Sequence, residues 1–503
     1  MKKILIKALD IFSIFFVLIL SAMSIIIYNL VEWILNTWGM LSMDEIIFHM
    51  KVPLEGTNED MIVDAINYCV PLAVIIGCAV FIILACTREY KKLMRCIILT
   101  LIIIFCFIDV LSIGKLWDEL DVNEYIEAQN KESTFIQNNY VDPRSVSLEF
   151  PEKKRNIIYI YLESMETTYM SKDVGGGFQN NVIPELTQIA ENNISFSNTD
   201  KLGGAYSTVG TTWTMGAMFA QSTGMPLKTD NDITLRSEYI GNEITIFPSV
   251  YSIGDILNDA GYKQVLMIGS DGSFAGRKNF YEQHGDYEVV DYNTIKSQGV
   301  IPEDYCVWWG IEDEKLFSFA KQKLVELSSG NEPFNLTLLT VDTHFEDGYV
   351  CRLCRNDYDD QYANVMACSS RQVYEFVNWI QQQQFYQDTT IVLVGDHLTM
   401  DSDFCQKVND NYQRIVYNAF INSAVETNNL KNRKFTTLDI FPTTLASMGV
   451  QIEGDKLGLG VNLFSDKETL AEQMGYKKLD EKLKEKSLFY DQLINVKAYE
   501  ESK

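Results

Sequence analysis

Basic side chains are in short supply. The 503-residue chain has 42 Lys+Arg against 68 Asp+Glu and a formal charge of −26. No basic patch offsets the acidity, which excludes a nucleic-acid binder that works by neutralising phosphates. Histidine is scarcer still, at four residues, so any site built on imidazole has few candidates. The composition of a disordered chain is absent: 47% of residues are hydrophobic and 12% aromatic, enough to build a core. No internal repeat is visible. The length allows roughly two to four domains. Mean hydropathy is −0.04, a value typical of soluble proteins, but it averages two unlike parts.

The apolar residues are concentrated near the N-terminus. Ile11–Val31 and Ala65–Thr87 are uncharged runs, and Cys96–Ile108 extends to Gly114 with Asp109 near its end. About 20 apolar residues cross a bilayer as a helix, so three spans are expected. The first is too long for a cleaved signal peptide and is followed by further spans. Lys2, Lys3 and Lys7 precede span one, and Arg88, Lys91, Lys92 and Arg95 separate spans two and three. The loop between spans one and two is acidic instead, with Asp44, Glu45, Glu55, Glu59, Asp60 and Asp64. This asymmetry predicts a cytoplasmic N-terminus and places the chain after about Lys115 outside. Residues 1–114 hold 8 basic and 10 acidic side chains, so 34 basic and 58 acidic ones, a net −24, belong to the external part. That acidity reads as surface solubility.

Cys69, Cys78, Cys86, Cys96 and Cys106 fall in the spans and read as apolar packing. Cys306, Cys351, Cys354, Cys368 and Cys405 are external. An oxidising compartment favours a disulfide among Cys351, Cys354 and Cys368, with a zinc site as the rival reading; no histidine stands at ligand spacing beside them.

Residues 115–150 read as a partly helical juxtamembrane connector. Beyond it, short apolar runs (Asn156–Leu162, Gln264–Ile268, Asn335–Val341 and Thr390–Val394) alternate with helical stretches (Ile183–Asn192, Asp313–Leu327 and Ser370–Gln384). Continuous apolar strands are buried on both faces, which predicts an α/β domain with a mostly parallel sheet between helices. The expected organisation is a membrane anchor over 1–114, the connector, an extracytoplasmic catalytic domain over 151–465, and a charged, exposed helical tail over 466–503.

Ligands of such sheets bind beyond the carboxyl ends of the strands. Glu163 follows the first run, Gly269-Ser270-Asp271-Gly272 the second, Asp342-Thr343-His344 the third and Gly395-Asp396-His397 the fourth. One polar residue after a strand usually means helix capping. Four such ends on one sheet edge point to a metal site with oxygen and imidazole ligands. His344 and His397 are at these ends, and His284 is elsewhere in the domain. The Gly/Ser/Thr loop Gly203–Trp213 runs into an apolar helix starting near Thr214. A hydroxyl there sees the positive end of the helix dipole and could serve as a nucleophile beside a bound cation, although an ordinary N-cap is the commoner role.

The ordered set Tyr161-Leu162-Glu163-Ser164, Gly210-Thr211-Thr212-Trp213-Thr214, Ser273-Phe274-Ala275-Gly276-Arg277, Asp342-Thr343-His344 and Gly395-Asp396-His397-Leu398 resembles the phosphoglycerol transferase I family. That family is related to lipoteichoic acid synthases and belongs to the alkaline phosphatase/sulfatase superfamily. The resemblance runs from about Asn156 to Phe464 and implies a sulfatase-like domain. It implies transfer of sn-glycerol 1-phosphate from phosphatidylglycerol to an extracytoplasmic glycan or glycolipid acceptor, with release of diacylglycerol. Carried over by position, Glu163, Thr214, Asp396 and His397 would hold a divalent ion, usually Mn2+, with Zn2+ or Mg2+ as alternatives. Thr214 would be the nucleophile. His344 would contact the phosphoglycerol group and carry protons, Arg277 would lie by the phosphate, and Trp309 or its neighbour Trp308 would line the glycerol pocket. The implied place is the cell membrane, multi-pass, with the bilayer itself as a partner.

Lipoteichoic acid synthases usually carry tryptophan two residues before the matching arginine, where Ala275 stands here. This favours the phosphoglycerol transferase I branch over a polymerase. Sulfatase activity needs a Cys or Ser followed by x-Pro-x-Arg, and no such run occurs. The remaining alternatives are a phosphoethanolamine transferase of the same superfamily and a non-catalytic membrane-anchored binding protein.

Overall fold

The computed structural model describes residues 2–39, 41–51, 56, 59–228, 247–401, 403–409 and 411–494. The chain divides into two units: residues 1–41 with 57–126, and residues 42–56 with 127–503.

The first unit is a bundle of three long helices, α1 (Lys2–Thr37), α3 (Glu59–Cys86) and α4 (Lys91–Glu119). Each contains a stretch long and apolar enough to cross a membrane: Ala8–Thr37, Met61–Cys86 and Lys91–Glu119. Val17, Ala73, Val80, Leu84, Ile98 and Phe105 pack between the helices, while large side chains such as Phe12, Ile75, Phe81 and Phe107 point outward. Apolar residues on all sides are what a helix surrounded by lipid requires. The Ser24 hydroxyl donates to Asp109 Oδ2 at 2.9 Å, which gives that carboxylate a partner inside the bundle.

The second unit is an α/β domain around a six-stranded sheet. Its strands are β1 (Asn156–Leu162), β2 (Lys263–Ile268), β3 (Glu288–Val290), β4 (Phe334–Leu339), β5 (Thr389–Gly395) and β6 (Asn418–Ile421). The spatial order is β3-β2-β4-β1-β5-β6, and every pair is parallel except β5 with β6. The three middle strands are buried almost throughout, as their unbroken apolar runs require. On one face, Ile158, Ile160, Leu336, Leu338, Ile391 and Leu393 pack with Leu186 and Ile189 of α5 (Pro184–Asn192), Leu316, Ala320 and Leu324 of α8 (Asp313–Ser328), and Met366, Val373 and Phe376 of α9 (Gln361–Gln381). The other face meets α6 (Thr214–Thr223). There the Tyr159 hydroxyl donates to Gln221 Oε1 at 2.7 Å and the Tyr161 hydroxyl to the Met218 carbonyl at 3.4 Å.

Three features differ from the sequence expectation. Helix α9 begins nine residues before Ser370, because the Asp360 carboxylate accepts from Ala363 N at 2.9 Å and caps it there. The tail forms three short helices, α10 (Leu470–Met474), α11 (Tyr476–Lys484) and α12 (Leu488–Ile494), rather than one exposed helix. Leu479, Leu483, Tyr490 and Ile494 are buried, since they recur on one side of these helices and leave the lysines outside. Residues 495–503 of the tail lie outside the described residues. Finally, the segment between the first two long helices forms a helix, α2 (Met43–Lys51), that belongs to the second unit.

Candidate active site

The site stands where β1 and β5 end side by side. Leu162 is the register partner of Gly395, so the residues that follow, Glu163 and Asp396, are neighbours by sheet geometry alone. Gly395 allows the close approach. A Cβ there would meet the Met165 carbonyl oxygen at 1.9 Å, so no larger residue fits without displacing backbone. Ser164 turns the chain in the left-handed region, at φ 54°. Its N–H donates to Asp396 Oδ1 at 2.8 Å and its hydroxyl to Glu163 Oε1 at 2.9 Å. The Glu163 N–H donates to Thr340 Oγ1 at 2.9 Å, and the Thr343 hydroxyl to the Glu163 carbonyl at 2.7 Å. The end of β4 thus braces the end of β1.

Glu163, Asp396 and His397 form one buried group whose donor atoms all lie within 4.8 Å of one another. His397 Nδ1 is 2.8 Å from the Leu398 carbonyl. A carbonyl can only accept, so Nδ1 carries a proton and Nε2 is the ring nitrogen that faces the site. That Nε2 lies 3.4 Å from Glu163 Oε1 and 3.4 Å from Asp396 Oδ2. Thr214 is the first residue of α6, and its hydroxyl is 3.3 Å from Glu163 Oε2 and 3.4 Å from His397 Nε2. Trp213, the preceding residue, makes no side-chain cap. Thr214 itself is half-buried, and its Oγ1 faces the carboxylates rather than its own helix.

The charges are held apart from their usual balance. Burial would raise the Glu163 carboxyl, but His397, His344 and the Ser164 hydroxyl bring it below the usual range. Burial, and then the Glu163 carboxylate, push Asp396 up to about 8. Burial works against protonating His397, but Asp396 and Glu163 raise it. Two buried carboxylates this close favour a cation between them. Asp396 Oδ2 is buried with no hydrogen-bond donor. Two carboxylates, an imidazole lone pair and a hydroxyl are a donor set that fits a divalent ion.

Arg277 opens α7 (Arg277–Gln283) and is buried. Its guanidinium donates to the carbonyls of Phe274 at 3.1 Å and Asp271 at 2.8 Å and to the Ser270 hydroxyl at 3.2 Å. Burial lowers it to about 10 against the fields of Glu163, Asp271, Asp291 and Asp396. It therefore stays charged and sets a fixed positive field beside the carboxylates. His344 Nδ1 is 2.7 Å from the Phe345 carbonyl, so its Nε2 is left as the acceptor. Burial lowers the His344 imidazole, partly offset by Glu163. The Trp309 ring is 4.7 Å from the His344 ring and 5.5 Å from Phe274. Trp308 adopts φ 54°, and its indole nitrogen is buried without an acceptor.

All seven residues expected from the sequence are accounted for. Glu163, Thr214, Asp396 and His397 come together directly. His344 and Arg277 reach them through charge, and Trp309 touches His344. Asp342, at the end of β4, turns away: its Oδ1 accepts from Asp313 N at 3.0 Å, and its N–H faces Asp313 Oδ2 at 3.2 Å. His284 is buried against Asp255 at 3.2 Å, away from this group.

Sequence reasoning missed α2. Glu45 and Phe48 are buried in this unit. Glu45 feels the charge of His397, and burial raises its carboxyl to about 8. Phe48 lies 5.8 Å from the Trp213 ring, and His49 lies 5.9 Å from Phe274. Burial, and then Arg277, lower the His49 imidazole to about 4, so it is neutral near pH 7. A run of neighbouring rings thus connects Trp213, Phe48, His49, Phe274, Trp309 and His344. The available signal was the stretch Met43–Lys51, where Ile46, Ile47 and Phe48 interrupt charges in a loop between two spans.

The family model described as Sulfatase matches residues 155–450. Phosphoglycerol transferase I of Xanthomonas campestris pv. campestris (strain B100) is 33% identical over 258 residues, 50% of this chain and 35% of that protein. Phosphoglycerol transferase I of Salmonella choleraesuis (strain SC-B67) is 30% identical over 322 residues, 63% of this chain and 40% of that protein. The chain therefore spans about a third to two-fifths of the length of these curated relatives. Among solved structures, the lipoteichoic acid synthase LtaP from Listeria monocytogenes superposes with a TM-score of 0.48 at 21% identity, covering 64% of this chain and 80% of that one. With the family model covering more than half of its length, and the strand-end donor group inside the matched region, the chain belongs to the sulfatase family.

Proposed function

We propose that the protein is a membrane-anchored phosphoglycerol transferase. It takes sn-glycerol 1-phosphate from phosphatidylglycerol, releases diacylglycerol and passes the group to an extracytoplasmic glycan or glycolipid. The observation that carries this reading is the Thr214 hydroxyl, at the start of α6 and within 3.4 Å of both Glu163 and His397. The similarity to phosphoglycerol transferases I supports the headgroup. The charge asymmetry around the three apolar helices supports an external catalytic domain and a cytoplasmic N-terminus.

A phosphodiester needs its equatorial oxygens neutralised and a nucleophile in line with the leaving group. Glu163, Asp396, His397 and Thr214 would hold a divalent ion, Mn2+ in this proposal, which lowers the pKa of the threonine hydroxyl and screens phosphate charge. The start of α6 offers free backbone N–H groups and a positive dipole end to the phosphate. The Thr214 hydroxyl gives up its proton as Oγ1 attacks phosphorus, the P–O bond to diacylglycerol breaks and that oxygen takes up a proton from solvent to leave as diacylglycerol, and a phosphoglyceryl-threonine remains. His344 Nε2 stands as the acceptor that takes the proton from an incoming hydroxyl, which then displaces Thr214. Arg277 holds the carbonyls of Phe274 and Asp271 and keeps its charge beside the reacting group. Trp309 packs on His344 and shapes the space for glycerol.

The test is mass spectrometry of the full chain incubated with Mn2+ and phosphatidylglycerol or, in parallel, phosphatidylethanolamine. A glycerophosphate adduct on the peptide containing Thr214 is expected with phosphatidylglycerol only. An ethanolamine phosphate adduct would replace this reading with that of a phosphoethanolamine transferase. No adduct and no diacylglycerol release would favour a binding protein.

A further inference from the structure

Cys351 and Cys354 lie in the segment that follows His344, and Cys368 is on α9. Contrary to the disulfide expected from the sequence, all three are free thiols. Cys351 Sγ is 3.7 Å from Cys354 Sγ and 3.7 Å from Cys368 Sγ, and the three sulfurs lie within 4.8 Å of one another. A disulfide needs sulfurs about 2.05 Å apart. Sulfurs bound at about 2.3 Å to one tetrahedral zinc ion stand about 3.8 Å apart. The observed spacing matches the second geometry.

The surroundings point the same way. Gln372, buried one turn after Cys368, aims its amide N–H group at Cys368 Sγ at 3.5 Å and at Cys351 Sγ at 3.8 Å. Donors converging on sulfur are the arrangement that supports metal-bound thiolates. Cys351 and Cys354 are joined by a turn in which Cys354 N donates to the Cys351 carbonyl at 3.1 Å, the Cys-x2-Cys half-site of zinc–sulfur centres. Among the described residues, no other cysteine, histidine or carboxylate joins the group.

We propose that Cys351, Cys354 and Cys368 bind one zinc ion through three thiolates, with solvent in the fourth position on the side of half-buried Cys354. Binding releases the thiol protons to solvent and changes no oxidation state. The ion ties the segment after His344 to α9. It adds to bonds that already hold the segment, among them Tyr349 N on the Asp342 carbonyl at 2.7 Å, Asp347 N on Asp401 Oδ2 at 3.2 Å, Arg352 Nε on Glu314 Oε2 at 2.9 Å and Asp357 N on Asn364 Oδ1 of α9 at 2.8 Å. The ion is a staple behind His344, independent of the reaction proposed above.

The experiment is metal analysis with zinc-edge X-ray absorption on the full chain, purified in detergent without added reductant or chelator. It is run in an Asp396→Asn background so that the other donor group does not contribute. About one zinc per chain with sulfur neighbours near 2.3 Å is expected, falling at least roughly tenfold in Cys368→Ser. Replacement by cobalt(II) should give the thiolate-to-metal charge-transfer absorption, which decides the matter even if Cys368→Ser fails to fold. A protein lighter by two hydrogens with two thiols blocked to alkylation would overturn the proposal in favour of a disulfide. So would three alkylatable thiols with no sulfur-bound metal.

Discussion

The candidate active site has a floor and a roof of different origin. The floor is Glu163, Asp396 and His397 at two register-paired strand ends, with Thr214 opposite. The roof is Phe48 and His49 of α2 with Phe274 and Trp309, reached through ring contacts rather than hydrogen bonds. The floor is fixed by directional bonds to backbone and carboxylate groups. The roof packs apolar and aromatic surface around it. Chemistry is thus entrusted to sheet register, and enclosure to a helix that arrives from elsewhere in the chain.

Variants can break or sharpen this contrast. Thr214→Ala should have the largest effect, a loss of diacylglycerol release of at least roughly 1,000-fold with unfolding temperature unchanged. Turnover surviving in this variant would remove Thr214 as the nucleophile. Asp396→Asn keeps the shape but removes one charge, and metal affinity measured by titration should drop by about 10–100-fold or more. Gly395→Ala leaves every donor in the chain yet puts a methyl against the Met165 carbonyl. Expected are a destabilisation of about 1–3 kcal/mol in denaturant unfolding and a loss of metal binding comparable to that of Asp396→Asn. Metal binding unchanged in this variant would show that the floor does not depend on the close approach. Phe48→Ala should lower turnover by only roughly tenfold while speeding proteolysis of α2. A loss as large as that of Thr214→Ala would erase the distinction between floor and roof. Trp309→Ala should be mildest, raising KM about threefold to tenfold with kcat nearly constant.

The floor was legible in the sequence because strand ends are local features. The run Asn156–Leu162 matches β1 in both bounds, and the strand ends of β1 and β5 carry Glu163 and Asp396 as the unbroken apolar runs require. Asp342 shows the limit of that logic: it stands at the end of β4 yet serves the start of α8, because a strand end fixes where a residue sits but not which way its side chain turns. The short strands β3 and β6, three and four residues long, carry too little pattern to be read. The roof was not legible because α2 is brief and its partners are distant in sequence. Its apolar residues announce burial but not against what. The cysteine trio was misread because spacing along the chain cannot tell sulfurs that bond from sulfurs that stand 3.7 Å apart.

The position of α2 in the chain has its own consequence. Its neighbours in sequence are the two apolar helices α1 and α3, whereas everything else around Thr214 comes after α4. A fragment beginning after α4 would carry Thr214, Glu163, Asp396 and His397 but would lack Glu45, Phe48 and His49 of α2, so the surroundings of the candidate site depend on a segment that lies between the two apolar helices α1 and α3.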